Sequence, residues 1–383
     1  MDTRFTPEEQ SLREMYHAFA EKEIRPHVRE MESGEYDEEI VLKKIIDMGC
    51  TGIIVPEEYG GIGGTYVHYA ICTEELSYGD GSMGMNVSGQ TNMCLPLLAY
   101  GTEAQKQTYV KSWVTGEKKA SFALTEPSAG SDAGSMKTTA ILKGDNFVIN
   151  GTKMFISGAA NADFFETYLL LKDETNGSLS PICVMIDKDK APGLTVGKKE
   201  NLMGMLTGSH APCIVYLDNV VVPKENLVGK VGEGFHLAMS TLDGGRLGIA
   251  AVCTGMAQYA IDETVKYTKA RVQFGNRISQ FQNTQFKLAE LQTAVNAARL
   301  LTYDCAVALD HKEPAGYKAS MAKYFASFTL NNVVRECLQL HGGYGYSKEY
   351  PIEKLYRDAK ITEIYEGTSE IQKKVIAKWM GVK

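Results

Sequence analysis

Long apolar runs are missing from this 383-residue chain. No stretch approaches the roughly 20 consecutive apolar residues of a membrane-spanning helix. The opening MDTRFTPEEQ lacks the apolar core of a secretory signal. A cytoplasmic protein with no membrane attachment is expected. Positive charge is also in deficit: 40 Lys and Arg stand against 47 Asp and Glu, a net charge of −7. That argues against nucleic-acid binding, which needs a basic stripe or patch; a local basic pocket for an anionic cofactor is still allowed. Eight cysteines (Cys50, Cys72, Cys94, Cys183, Cys213, Cys253, Cys305 and Cys337) are scattered, and no CxxC or Cys/His pair has metal-ligand spacing. No metal is expected, and the thiols read as reduced, buried small hydrophobes. Neither a G-x-G-x-x-G between strand and helix nor a Walker A sequence occurs, so any dinucleotide binds outside a Rossmann fold.

What is present is an ordinary globular composition, 44% hydrophobic and 23% charged, in a chain long enough for two or three domains. Three regions follow one another. Residues 1–118 read as a helical domain. Thr6-Pro7-Glu8-Glu9 is a capping box with proline at the first helical position, and Leu12, Met15 and Phe19 follow at helical spacing. Thr102-Glu103-Ala104-Gln105 starts another helix, and the glycine-rich Gly60–Gly64 loop precedes one near Thr65. Residues 119–228 change to a middle antiparallel β domain. Gly144-Asp145-Asn146 separates two apolar runs, and Tyr168–Leu171, Ile182–Ile186 and Ile214–Leu217 have strand length and turn boundaries. Residues 229–383 return to helices, with Leu288, Leu291, Val295, Ala298, Leu301, Cys305 and Leu309 on one amphipathic stripe. Helices, then strands, then helices argue for an α+β multi-domain chain without a βαβ parallel sheet.

Three places suggest chemistry. Leu124-Thr125-Glu126-Pro127-Ser128-Ala129-Gly130-Ser131-Asp132 is rich in backbone donors and hydroxyls and suits anionic or carbonyl oxygens. Asp243-Gly244-Gly245-Arg246 lets backbones pack closely beside an arginine, which suits a phosphate or an ion pair. Tyr365-Glu366-Gly367-Thr368-Ser369 sets a carboxylate beside a flexible glycine. Taken one at a time, a surface turn, a surface ion pair and a solvated glutamate are the commoner readings.

Taken together, eight strings resemble one family in its own order: EEYGG, LTEPSAGSD, NGTKMFIS, DNVVVPKENLVG, LDGGR, RVQFG, LQLHGGYGY and IYEGTSEIQ. The chain resembles the acyl-CoA dehydrogenases over nearly its whole length, closest to the short-chain and butyryl-CoA dehydrogenases. The resemblance implies an N-terminal helical domain, a middle β domain and a C-terminal four-helix bundle. It implies non-covalent FAD, a homotetramer built as a dimer of dimers, and an electron-transferring flavoprotein as partner. Phe122, Leu124, Thr125, Ser131, Phe155, Ile156 and Ser157 would lie along the flavin. Phe155 stands where many relatives have tryptophan, and Ser157 where most have threonine near flavin N5. Arg271, Gln273, Phe274, Phe281, Gln282, Gln339, Leu340, Gly342 and Gly343 would contact FAD from the neighbouring subunit, and Thr368 and Glu370 complete the set. An arginine suits the pyrophosphate because its fork matches two oxygens.

By the same resemblance, Ser131, Asp243, Gly244, Gly245, Arg246, Tyr365, Glu366 and Gly367 would meet the acyl-CoA. Glu366 would remove the α-proton. Its backbone N–H and a flavin ribityl hydroxyl would hold the thioester carbonyl, while the β-hydrogen leaves as hydride to the flavin. Isovaleryl- and long-chain-specific relatives carry the base at the position of Gly245, where glycine cannot serve. Glutaryl-specific relatives carry an arginine near Gly84, so a distal carboxylate has no expected cation here. The Met203–Pro212 loop, with His210, is about one residue longer than usual and leaves acyl specificity open. The implied activity is α,β-dehydrogenation of a short-chain, aromatic or cyclic acyl-CoA. The alternative is an enoyl-CoA reductase running the same chemistry in reverse. An acyl-CoA oxidase is disfavoured by length, and an idle nucleic-acid-binding relative by the retained Glu366 and the acidic charge.

Overall fold

Thr6 opens the first helix by reciprocal capping: its hydroxyl accepts from Glu9 N–H, and the Glu9 carboxylate accepts from Thr6 N–H. The computed structural model describes residues 5–205 and 211–382. Helices α1 (Pro7–Phe19), α2 (Val28–Ser33), α3 (Glu39–Asp47), α4 (Tyr66–Gly79), α5 (Gly81–Tyr100), α6 (Glu103–Gln105) and α7 (Lys111–Val114) form the N-terminal part. Thr65 and Thr102 cap α4 and α6 by the same box. Helices α4 and α5 are apolar around most of their circumference and are buried accordingly. Gly84 packs into α4: a Cβ there would lie 1.8 Å from Ser77 Oγ, so position 84 has no room for a cation.

Eight strands then form one sheet: β1 (Ala120–Ala123), β2 (Thr139–Lys143), β3 (Asn146–Ile156), β4 (Phe164–Lys172), β5 (Leu179–Asp187), β6 (Leu194–Lys199), β7 (Cys213–Pro223) and β8 (Leu227–Val228). Their order is β6-β7-β3-β2-β4-β5-β8, with β1 beside β4. Gly144, in the left-handed region, turns the β2–β3 hairpin. The sheet departs from the expected all-antiparallel arrangement at two contacts, because β1 and β2 both run parallel to β4. Each is joined to β4 through β3, a connection long enough to carry the chain back to the same end.

Helices α8 (Gly234–Ala270), α9 (Gln282–Asp310), α10 (Gly316–His341), α11 (Ile352–Ala359) and α12 (Ser369–Trp379) complete the chain, with the ribbon β9 (Val272–Gln273)–β10 (Asn276–Arg277) between α8 and α9. Glycines let α8 press against the N-terminal helices; a Cβ at Gly255 would lie 2.0 Å from the Glu74 carbonyl oxygen. One core therefore spans both helical parts, joining Tyr16, Tyr69 and Leu76 to Leu247, Val295 and Leu330. The sheet keeps its own core around Phe147, Phe165 and Val215 and docks on the helices through Trp113, Tyr168 and Leu237. Buried Lys354 of α11 links the C-terminal helices to the junction of α4 and α5, pairing with Asp80 and, within α11, with Asp358 at 2.6 Å each. No helix among the described residues is long and apolar enough to cross a membrane.

Candidate active site

Between α11 and α12 the chain makes two successive left-handed residues, Glu366 at φ +52° and Gly367 at φ +88°. For a glutamate that conformation costs roughly 1–2 kcal/mol and needs outside support. The Gly367 carbonyl accepts from Lys323 Nζ and from Gln372 Nε2, each at 2.8 Å, and Gln372 Nε2 also reaches the Glu366 carbonyl at 3.0 Å. Lys323 is fully buried on α10 in a row with Ala319, Ala322 and Ala326. The turn is thus pinned by an interior cation.

The half-buried Glu366 directs its carboxylate against α8, where a Cβ on Gly245 would lie 2.7 Å from Oε2. Desolvation pushes its pKa above the usual carboxylate range, while Arg246 and Lys323 pull the other way. Burial in turn brings Lys323 down to about 8, against the pull of Cys253 and Glu366. A carboxylate must be ionised to accept a proton, so a reaction that uses Glu366 this way should rise with pH through its pKa. Lys323→Gln keeps an N–H for the Gly367 carbonyl but removes the charge that favours the carboxylate. The acid limb of kcat/KM should therefore move to higher pH; an unmoved limb with intact flavin would show that the two groups are not coupled.

Other expected residues converge here. Asp243 and Arg246 pair at 2.9 Å on α8, with Arg246 buried and its Nε without a partner among the described residues. Burial raises the Asp243 pKa against the pull of that arginine. Gly244 and Gly245 keep α8 open towards α5 and Glu366. Tyr365 adjoins Glu366, and its hydroxyl has no partner among the described residues. Ser131 lies apart on an exposed loop of the β domain.

That loop is clamped at its root. Thr125 O accepts from Met154 N–H at 2.8 Å, and Ser121 Oγ donates to Ser157 O at 2.8 Å. Buried Lys153 donates to Leu124 O at 3.0 Å and to Glu126 Oε1 at 2.8 Å, while Glu126 also accepts from the N–H groups of Lys137 and Thr138. Phe155 sits at φ +57° and is 55% exposed, and Ser157 is exposed beside it. The Ile156 side chain belongs to the sheet core, leaving only its backbone for a ligand. Leu124 is buried, and Phe122 packs against the Tyr168 ring.

A second group gathers at the end of α10. Arg271, Gln273, Gln339, Leu340, Gly342 and Gly343 line a surface cavity of about 520 Å³, with Tyr267 and Tyr344. The Arg271 guanidinium lies over the Tyr344 ring at 5.2 Å. Phe274 projects from the β9–β10 turn, 93% exposed, and Phe281 and Gln282 open α9 nearby. Thr368 caps α12, and Glu370 lies exposed in its first turn. Large aromatics left in water, a half-exposed arginine and side-chain-free glycines suit a planar, anionic dinucleotide better than a closed surface.

Lys153, Lys323 and Gln372 were not among the sequence candidates. Only a lysine within an alanine-rich buried stripe hinted at Lys323. The expectation for the Met203–Pro212 loop falls partly outside the described residues, which omit 206–210 and with them His210; Met205 N–H donates to Asp358.

The acyl-CoA dehydrogenase family models match three consecutive segments: the N-terminal domain over residues 6–117, the middle domain over 121–220 and the C-terminal domain over 232–381. A 3-(aryl)acrylate reductase of Clostridium sporogenes is 44% identical over 375 residues, covering 97% of this chain and 98% of its own. The CarC subunit of the caffeyl-CoA reductase–Etf complex of Acetobacterium woodii is 42% identical over 376 residues, with 97% and 98% coverage. The structure of butyryl-CoA dehydrogenase from Megasphaera elsdenii superposes with a TM-score of 0.94 at 37% identity, covering 99% of this chain and 100% of that one. With the geometry around Glu366 and matches along almost its full length, this chain belongs to the acyl-CoA dehydrogenase family.

Proposed function

We propose that Glu366 is the base that removes the α-proton of a short-chain, aromatic or cyclic acyl-CoA. The observation that carries this reading is the Glu366 carboxylate, held by a pinned left-handed turn against Gly245 with its pKa raised by burial. A desolvated carboxylate is a stronger base, and the nearby Arg246 and Lys323 keep it ionisable. The α-carbon would lie against the Glu366 carboxylate, beside the glycine face of α8. The Glu366 N–H would steady the thioester carbonyl as negative charge builds on its oxygen. Asp243–Gly245, Arg246, Tyr365 and Gly367 would frame the thioester, and Ser131 would meet it from the β domain.

The family is FAD-dependent. Bound FAD supplies the acceptor for the β-hydrogen as hydride. Thr125, Phe155 and Ser157 would hold its ring system. Arg271, Gln273, Phe274, Gln339, Gly342 and Gly343 would hold the distal part from a neighbouring copy, which requires a dimer or, as we propose, a tetramer. An electron-transferring flavoprotein is the proposed partner, supported by the Etf complex to which the CarC relative belongs. The aryl names of two relatives support an aromatic acyl group, and the Megasphaera protein supports a short one. Two relatives named as reductases favour the reverse direction as a second reading.

The test is an acyl-CoA panel scored for anaerobic bleaching of bound flavin, with light scattering on the same sample. Butyryl-CoA or an aryl-propionyl-CoA should bleach it. Glutaryl-CoA should lag, because its distal carboxylate would be desolvated without a cation near Gly84. A flavin-loaded monomer, glutaryl-CoA as the fastest substrate, or no bleaching by any thioester would overturn the corresponding part.

A further inference from the structure

Beside the base, on the same glycine face of α8, is a polar cluster that the chemistry above does not use. Tyr69 of α4 and Ser88 and Asn92 of α5 are 0%, 1% and 6% exposed. The Tyr69 hydroxyl donates to Ser88 Oγ at 2.9 Å, and Asn92 Nδ2 reaches Ser88 Oγ at 3.3 Å and Tyr69 OH at 3.5 Å. Asn92 Oδ1 finds no partner among the described residues. An interior amide oxygen in that condition is unfavourable and rare.

The glycines of α8 locate the cluster. A Cβ on Gly245 would meet both Glu366 Oε2, at 2.7 Å, and Asn92 Nδ2, at 3.5 Å. On Gly244 it would meet Asn92 Oδ1 at 2.8 Å, and on Gly248 Ser88 Oγ at 2.0 Å and Tyr69 OH at 2.2 Å. Base and asparagine therefore meet at the same glycine face of α8. A thioester whose α-carbon touches Glu366 would bring its acyl chain within reach of Asn92. A hydrocarbon chain would leave the amide oxygen dry and unpaired. A hydroxyl, both donor and acceptor, would pair with the amide whichever way its oxygen and nitrogen are turned.

We infer that Asn92, backed by Ser88 and Tyr69, is a specificity-determining residue that selects acyl-CoA thioesters bearing a hydroxyl on the acyl chain or its ring over their hydrocarbon counterparts. This rests on the dehydrogenase reading. Sites built to hydrogen-bond a substrate hydroxyl discriminate strongly against analogues that lack it, because their own polar groups are then left unpaired.

The experiment uses flavin-loaded protein and two matched pairs: 3-(4-hydroxyphenyl)propionyl-CoA with 3-phenylpropionyl-CoA, and 4-hydroxybutyryl-CoA with valeryl-CoA. Anaerobic flavin reduction and kcat/KM are read for each. In at least one pair the hydroxylated member should lead by about tenfold or more. Asn92→Leu, of similar volume, should reverse the order of that pair; if it does not load flavin, Asn92→Ala should at least abolish the preference. Pairs equal within about twofold, or a preference that survives both variants, would overturn the inference and leave the dehydrogenase reading intact. Flavin that dithionite bleaches but no member of either pair does would sink the dehydrogenase reading and this inference with it.

Discussion

Glu366→Gln should cut the rate of flavin reduction by about 10²–10⁴-fold or more, the usual loss when a general base is removed. Glutamine keeps the size and part of the hydrogen bonding but cannot take up the α-proton. The left-handed turn should survive, because Lys323 and Gln372 hold backbone carbonyls and not the carboxylate. The variant should therefore remain yellow and assembled and should still bind the thioester. Gly245 offers a second check. Its missing Cβ points at Glu366 Oε2 from 2.7 Å, so a carboxylate introduced there enters the same space. Gly245→Glu in the Glu366→Gln background should restore part of the rate, whereas Gly245→Glu alone should crowd the native base and lower it. Substantial flavin reduction by Glu366→Gln alone would mean that another group removes the proton.

Lys153→Met should destabilise the protein by about 3–5 kcal/mol, the usual cost of leaving one member of a buried ion pair uncompensated. Lys153 and Glu126 are both buried, and their contact at 2.8 Å closes the root of the loop that carries Thr125 and Ser131. The lysine also holds Leu124 O, one residue before Thr125. Lost flavin should accompany lost stability, which separates this pair from an ordinary core contact. Glu126→Gln added to Lys153→Met removes the orphaned charge and should recover part of the stability without fully restoring flavin retention. Denaturant unfolding and flavin content, measured on the same samples, check both statements. A Lys153→Met protein with wild-type stability and full flavin would contradict them.

Local signals in the sequence placed the caps at Thr6 and Thr102, the hairpin at Gly144 and the long stripe from Leu288 to Leu309, because each depends on near neighbours. The parallel alignment of β1 and β2 with β4 was not legible, since strand direction is set by connections and packing rather than by a strand's own residues. Nor was the 37-residue continuity of α8: glycines at 244, 245, 248 and 255 weaken helical pattern, and the close approach of α4 and α5 compensates for them. At the site, composition alone reads Glu366 as a solvated carboxylate, and only resemblance to a family singles it out. What holds its turn in place comes from afar: Lys323 is 44 residues from the Gly367 carbonyl it holds. Nor did the sequence single out Asn92, because its approach to Glu366 at Gly245 is brought by the fold and not by spacing.

Whether the Glu366 carboxylate takes up the α-proton can be tested whichever direction the enzyme runs. Flavin-loaded protein is incubated anaerobically with butyryl-CoA or 3-phenylpropionyl-CoA in D2O, and the recovered thioester is examined by mass spectrometry and NMR. A base that takes the α-proton, exchanges it with solvent and returns it leaves deuterium at the α-carbon. Wild-type protein should label that position, and Glu366→Gln, with equal flavin content, should leave it unlabelled. Labelling of the α-carbon by Glu366→Gln at the wild-type rate would contradict the assignment.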